Sequence, residues 1–171
     1  MKVAVRSVLD AIYFTGGVAG AICLIAILVL IVMQMVARWT GEMFPGAPEY
    51  AGYAMAAASF FAFAHALNRG SHIRVSLLLN SVPPGVRRWI DFWCYVVATA
   101  LAWYFVYFAA RFVYWSWKFK DVSQGQDVTL LWIPQSAVLI GSFVLALALT
   151  DNMLAILTDG KSRMKSAAID E

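Results

Sequence analysis

Between Ala11 and Ala37 the chain runs for 27 residues without a charged side chain. Inside a bilayer every backbone N–H and C=O must be satisfied within the segment, so a run of this kind can only be a helix. At about 1.5 Å per residue it reaches roughly 40 Å, longer than a ~30 Å hydrocarbon core, and it must tilt or protrude. Lys2 and Arg6 ahead of an apolar stretch also suit a secretory signal. The apolar part of a signal is only about 7–15 residues long, however, and Asp10 interrupts the approach. The run predicts an uncleaved first transmembrane helix over about residues 11–37.

Three further apolar runs follow, at about residues 49–68, 89–115 and 130–157. They predict an all-α integral membrane protein: four transmembrane helices in one membrane domain, with a polar tail at 159–171. Composition agrees. Of 171 residues 62% are hydrophobic and 13% charged, with mean hydropathy +0.72, whereas a soluble domain carries about a quarter charged residues. Four spans with short loops leave no room for a soluble domain.

The helix ends carry the expected markers. Arg38 and Trp39 close the first span, and Pro45, Gly46 and Pro48 form a turn. Glu49 opens the second span at the positive end of the helix dipole. Arg38 and Glu49 either pair across this turn or sit separately in the wet interface. In the third span Trp89 and Trp93 mark one headgroup level, and Tyr114, Trp115, Trp117 and Lys118 mark the other. Arg111 lies one to two turns inside that second belt, where it either snorkels to the headgroups or faces a partner. Nine of the 13 basic residues fall on the side of the termini and of residues 69–88, and four on the side of the other two loops. The positive-inside rule then places both termini in the cytoplasm. The net charge of +3 is spread over span ends, not gathered on one face, and gives no reason to expect nucleic acid.

The span centres contain no Asp, Glu, Lys or Arg. Coupled transporters and pumps place ionisable or ion-coordinating groups near the midplane, so this chain alone is not expected to be one. His65 is the one histidine within a span, which rules out bis-His haem ligation inside the chain. Cys23 and Cys94 have no metal or redox spacing and read as inert apolar thiols. No enzyme chemistry and no cofactor are expected. The spans offer packing surfaces instead: a glycine patch at Gly16, Gly17 and Gly20, and a ridge of Ala47, Ala51, Ala54, Ala58, Ala62 and Ala66 at helical spacing. Small residues let helices approach closely in lipid, within the chain or against another protein. These features suit a membrane scaffold. A membrane anchor of a redox complex and a small homo-oligomeric channel are the alternative readings.

The connector at residues 69–88 holds Arg69, His72, Arg74, Arg87 and Arg88. Gly70 suits the position just past a helix end. Val75, Leu78, Leu79 and Val82 fit one helical face, which predicts a short amphipathic helix in the cytoplasmic interface, stopped at Pro83-Pro84-Gly85. In wording this connector resembles the small membrane subunit (DctQ-like) of tripartite ATP-independent periplasmic (TRAP) transporters. The resemblance rests on Arg38-Trp39, Glu49, the Ala-rich second span, Arg69-Gly-Ser-His72-Ile73-Arg74-Val75, the Leu run, Val82-Pro83 and Arg87-Arg88. Ser76 stands where members often carry an acid. The resemblance implies a bacterial inner-membrane subunit paired one-to-one with a large multi-span subunit that holds the substrate and sodium sites. It also implies transient visits by a periplasmic substrate-binding protein carrying an organic acid, with the outer loops (38–48 and 119–129) as candidates for that contact. Arg38, Glu49, Ala51, Ala54, Ala58, Ala62, Arg69, His72, Arg74, Arg87, Arg88 and Arg111 are the candidate anchoring or partner-interface residues.

Overall fold

The computed structural model describes residues 2–42, 44–69 and 84–159, with side chains described for 7–42, 44–69, 86 and 89–157. They form four helices: α1 (Lys2–Thr40), α2 (Ala47–Asn68), α3 (Pro84–Phe119) and α4 (Trp132–Asp159). Among the described residues there is no strand, only an isolated antiparallel bridge between Val122 and Leu130. Most of the expected interfacial segment, with His72 and Arg74, lies outside the described residues, as does the tail beyond residue 159. Pro84 begins α3. Proline at a helix start loses an N–H that would have no intrahelical partner there, and its fixed φ is already helical. The third helix therefore takes up residues 84–88, including the backbone of Arg87 and Arg88.

α1, α3 and α4 are each long and apolar enough to cross a membrane. α2 is a 22-residue helix that is not among them; Glu49, His65 and Asn68 lower its hydropathy. Its position explains why it needs less greasy surface. α2 packs against α1 on one side and α4 on the other, and α4 in turn packs against α3, so α1 and α3 form the flanks. Accordingly 39% of the most apolar window of α4 is buried, against 6% for α1 and 11% for α3.

Glycines set the helix spacing. A Cβ on Gly16 would stand 2.8 Å from the Phe61 carbonyl oxygen, and one on Gly20 would stand 3.1 Å from the Ala58 oxygen and 3.3 Å from Ala62 Cβ. On the other side of α2, a Cβ on Gly141 of α4 would lie 2.6 Å from the Phe60 carbonyl carbon. α2 is thus gripped at one level, around Phe60 and Phe61, by bare backbone from both neighbours. In lipid the attraction between helices comes from dispersion and packing, which grow as backbones approach. The expected glycine patch and alanine ridge meet each other here within the chain.

The core lies toward the end where α1 begins and α4 finishes: Tyr13, Ala64, Leu67, Tyr95, Ala148, Leu149 and Ile156. Several polar side chains inside the helices donate to the preceding turn, although Thr99 Oγ1 and Asn152 Oδ1 are buried without a hydrogen-bond partner. The Asn152 side-chain amide donates to the Ala148 carbonyl (2.9 Å), Thr150 Oγ1 to Ala146 (2.7 Å) and Ser59 Oγ to Met55 (2.9 Å). Such bonds back to the preceding turn remove exposed hydroxyl and amide groups from a hydrocarbon surrounding.

Candidate functional site: a cleft at the loop end

At the opposite end of the bundle, α1 finishes with Arg38 exposed, and a turn through Gly41 and Gly46, both at φ +80°, leads into α2. Gly46 caps α2, and Tyr50 N–H donates to its carbonyl (3.0 Å). Pro48 and Glu49 fall in the first turn, proline where its missing N–H costs little and glutamate where the helix dipole favours a negative charge. The segment between α3 and α4 then folds back over this turn. Ser123 N–H donates to Thr129 O (2.8 Å) and Leu131 N–H to Asp121 O (3.0 Å), closing a hairpin-like loop around the Val122–Leu130 bridge. Val128 in this loop has φ +47°, a conformation disfavoured for a β-branched residue and kept only where its surroundings hold it.

Side chains tie the loop to α2. Tyr53 Oη donates to Ser123 Oγ (2.9 Å), and Thr129 Oγ1 donates to Tyr50 Oη (3.3 Å). Asp127 sits among these hydroxyls, both of its carboxylate oxygens shielded from solvent. Shielding works to raise its pKa. The hydroxyls of Ser123, Thr129 and Tyr53, with its own backbone N–H, favour the charged form more strongly and leave the pKa below the ordinary carboxylate value. These groups ring the carboxylate without aligning on it, so neither oxygen has a partner in good hydrogen-bond geometry. Glu49 Oε1 and Asp127 Oδ1 both approach Gly125, at 2.8 and 3.0 Å from where a Cβ would stand. Two carboxylates therefore converge on the one residue of the loop that has no side chain.

The three chain segments enclose an open cleft of about 600 Å³, lined by Gln34, Arg38, Glu42, Phe44, Glu49, Gln124 and Gln126 among others. Arg38 and Glu49 share this cleft, but no ion pair within 4 Å joins them. The lining carries one cation, two carboxylates and three amides that both donate and accept. That pattern suits polar recognition of a protein surface. Among the described residues no group of three or more His, Cys, Asp or Glu is placed to hold a metal ion.

The other candidate residues are scattered. Ala58 and Ala62 contact Gly20 on α1, while Ala51 and Ala54 are half-buried along α2. Arg69 ends α2, its N–H donating to the His65 carbonyl (3.0 Å). Arg111 lies on the exposed face of α3, its guanidinium 6.0 Å from the Tyr107 ring centre. His65 packs between α1 and α2: its Cγ is 2.8 Å from where a Gly17 Cβ would stand, and its ring meets Phe14 edge-on at 6.2 Å. The sequence placed Gly125 and Asp127 in the outer loop 119–129 without singling them out, and it did not mark Tyr50 and Tyr53 as parts of this end. The only available signal was a glycine between two glutamines in a loop with two acids.

The family model described as "Tripartite ATP-independent periplasmic transporters, DctQ component" matches residues 27–159. The chain belongs to the DctQ component family. The match covers the C-terminal part of α1 and all of α2, α3 and α4, and with them every residue that lines the cleft. A comparison with curated proteins found no match. As a DctQ component the chain is a small permease subunit of a TRAP-type transporter, a membrane protein that works with a large membrane subunit and a substrate-binding protein. Components of this family are generally not enzymes.

Proposed function

We propose that this DctQ component is a non-catalytic scaffold of a sodium-driven organic-acid importer, paired one-to-one with its large subunit and visited transiently by the binding protein. The observation that carries this reading is the placement of polar chemistry. Ionisable and amide groups collect at the loop end around a cleft, while the helix centres hold no Asp, Glu, Lys or Arg. A subunit of this kind has nothing at mid-depth with which to couple an ion to a substrate. In this reading α2 is the fourth span, short of greasy surface because protein covers it on two sides. The termini are cytoplasmic, the residues between α2 and α3 lie along the cytoplasmic interface, and the cleft opens to the periplasm, where Arg38 and Glu49 meet the binding protein.

Reconstitution tests the scaffold role. Liposomes holding this chain alone should show no sodium-dependent organic-acid uptake, and adding the large subunit and binding protein should restore it. Uptake by the chain alone would defeat the reading. An activity reporter fused after Glu171 that worked only in the periplasm would overturn the orientation.

A further inference from the structure

The two flanking helices expose very different surfaces. Along α1 the exposed face is aliphatic, with Ile22, Ile25, Leu28, Val32 and Val36. Acyl chains solvate such a face fully. α3 exposes Tyr104 (64%), Tyr107 (58%), Phe108 and Arg111 at helical spacings of three, four and seven, so they form one stripe.

The depth of this stripe is the point. The candidate span of α3 is Trp89–Phe119, and Tyr104 is its middle residue. Tyrosine belongs to the interfacial belts, yet the Tyr104 and Tyr107 hydroxyls make no hydrogen bond among the described residues. Arg111 lies seven residues from that midpoint, roughly 10 Å along the axis, still inside a hydrocarbon half-thickness of about 15 Å. Its guanidinium also points the wrong way for snorkelling. Side chains on a helix lean toward its N-terminus, and the headgroups nearest Arg111 lie toward the C-terminus. The cation rests over Tyr107, one turn deeper, at 6.0 Å.

We infer that the Tyr104–Tyr107–Arg111 stripe of α3 is the face that docks on the large membrane subunit, against a helix offering a carboxylate or free carbonyls at the depth of Arg111. The inference rests on the pairing proposed above and adds which face makes it. A second copy of this chain does not fit. Two copies inserted the same way and related by a two-fold axis normal to the membrane present the same residues at the same depth. Arg111 would then meet another arginine, since the exposed faces of α1 and α3 hold no acid there and Asp91 is near the opposite end of α3.

The test uses the chain co-expressed with its large subunit. A photo-crosslinking amino acid replaces Tyr104 in one sample and Ile25 on α1 in another. The position-104 probe should capture the large subunit at least tenfold more than the position-25 probe, which should capture lipid. Arg111→Leu makes membrane insertion easier, so loss of the partner cannot be blamed on failed insertion. At unchanged membrane abundance it should recover at most a tenth of the large subunit, with Arg111→Lys in between. Capture of lipid alone or of a second copy from position 104, capture of the large subunit from position 25 instead, or full recovery with Arg111→Leu would overturn the inference while the pairing stands. If wild-type chain brings down no large subunit at all, the pairing falls and this inference with it.

Discussion

Gly141 of α4 lies so close to Phe60 of α2 that a Cβ on residue 141 would stand 2.6 Å from the Phe60 carbonyl carbon. The obstruction is backbone, which cannot swing aside as a side chain can. Any larger residue must therefore push α4 away from α2. Gly141→Val is expected to destabilise the purified protein by about 1–3 kcal/mol, the range for overpacking a tight contact, read as a lowered thermal midpoint in detergent. Gly52 is the control. Nothing lies within 4 Å of a Cβ there, so Gly52→Ala should be neutral or slightly stabilising, since alanine holds a helix better than glycine.

The same logic applies across the α1–α2 contact, where Gly17 meets a ring. His65 Cγ is 2.8 Å from the Gly17 Cβ position, and an imidazole can rotate where a backbone cannot. Gly17→Ala should accordingly cost less than Gly141→Ala, and His65→Ala should rescue part of the Gly17→Ala loss in a double-mutant cycle. Additive effects would mean that the two residues do not press on each other. The redox-anchor alternative is tested on the same samples. A histidine wedged between Gly17 and Phe14 is expected to bind no haem, so the protein should show no Soret band after purification with haem supplied.

Tyr53 and Ser123 are 70 residues apart in sequence and joined by a 2.9 Å hydrogen bond. Tyr53→Phe keeps the ring and removes only the bond, at a cost of about 0.5–1.5 kcal/mol. The more telling change is local: backbone amides of residues 121–131 should exchange faster, while those of α4 keep their protection. An unaltered exchange pattern would show that the loop is held by its own backbone bonds alone.

Asp127 predicts a pH dependence of defined sign. Its pKa is held below the ordinary value of 3.8, so folding favours the charged form. The stabilisation is fully present above 3.8 and is lost as pH falls through the lower, folded-state pKa. Loop protection in hydrogen exchange should thus fall below about pH 3.8 in the wild type. Asp127→Asn should abolish that step. A step of equal size in both would assign it to another carboxylate.

Arg38 and Glu49 line one cleft without pairing, which leaves both free to engage a visiting protein. Arg38→Glu should reduce binding-protein-dependent uptake at least tenfold with the large subunit still bound, and raised salt should weaken docking of the wild type. If uptake and its salt dependence are unchanged, the cleft is not the docking surface.

The sequence alone was enough for the helical class, the four helices to within a few residues at most ends, the chemical emptiness of their centres and the family. Run length, charge placement and the wording from Arg38 to Arg88 are local properties that survive without knowledge of contacts. It also singled out the Gly16–Gly20 patch and the alanine ridge as contact surfaces. That they meet each other, that α2 is the inner helix, and that Gly141 grips it from behind were decided only by the tertiary structure. The reason is physical. In water an apolar stripe reveals which face is buried, but in lipid both the protein-facing and the lipid-facing sides of a helix are apolar, and periodicity loses its meaning. Asp127 was equally hidden, because its environment comes from hydroxyls on α2 that lie far away along the chain. Arg111 shows the division within one residue: its place inside the aromatic belt was legible in the sequence, whereas the approach of its guanidinium to the Tyr107 ring needed the fold.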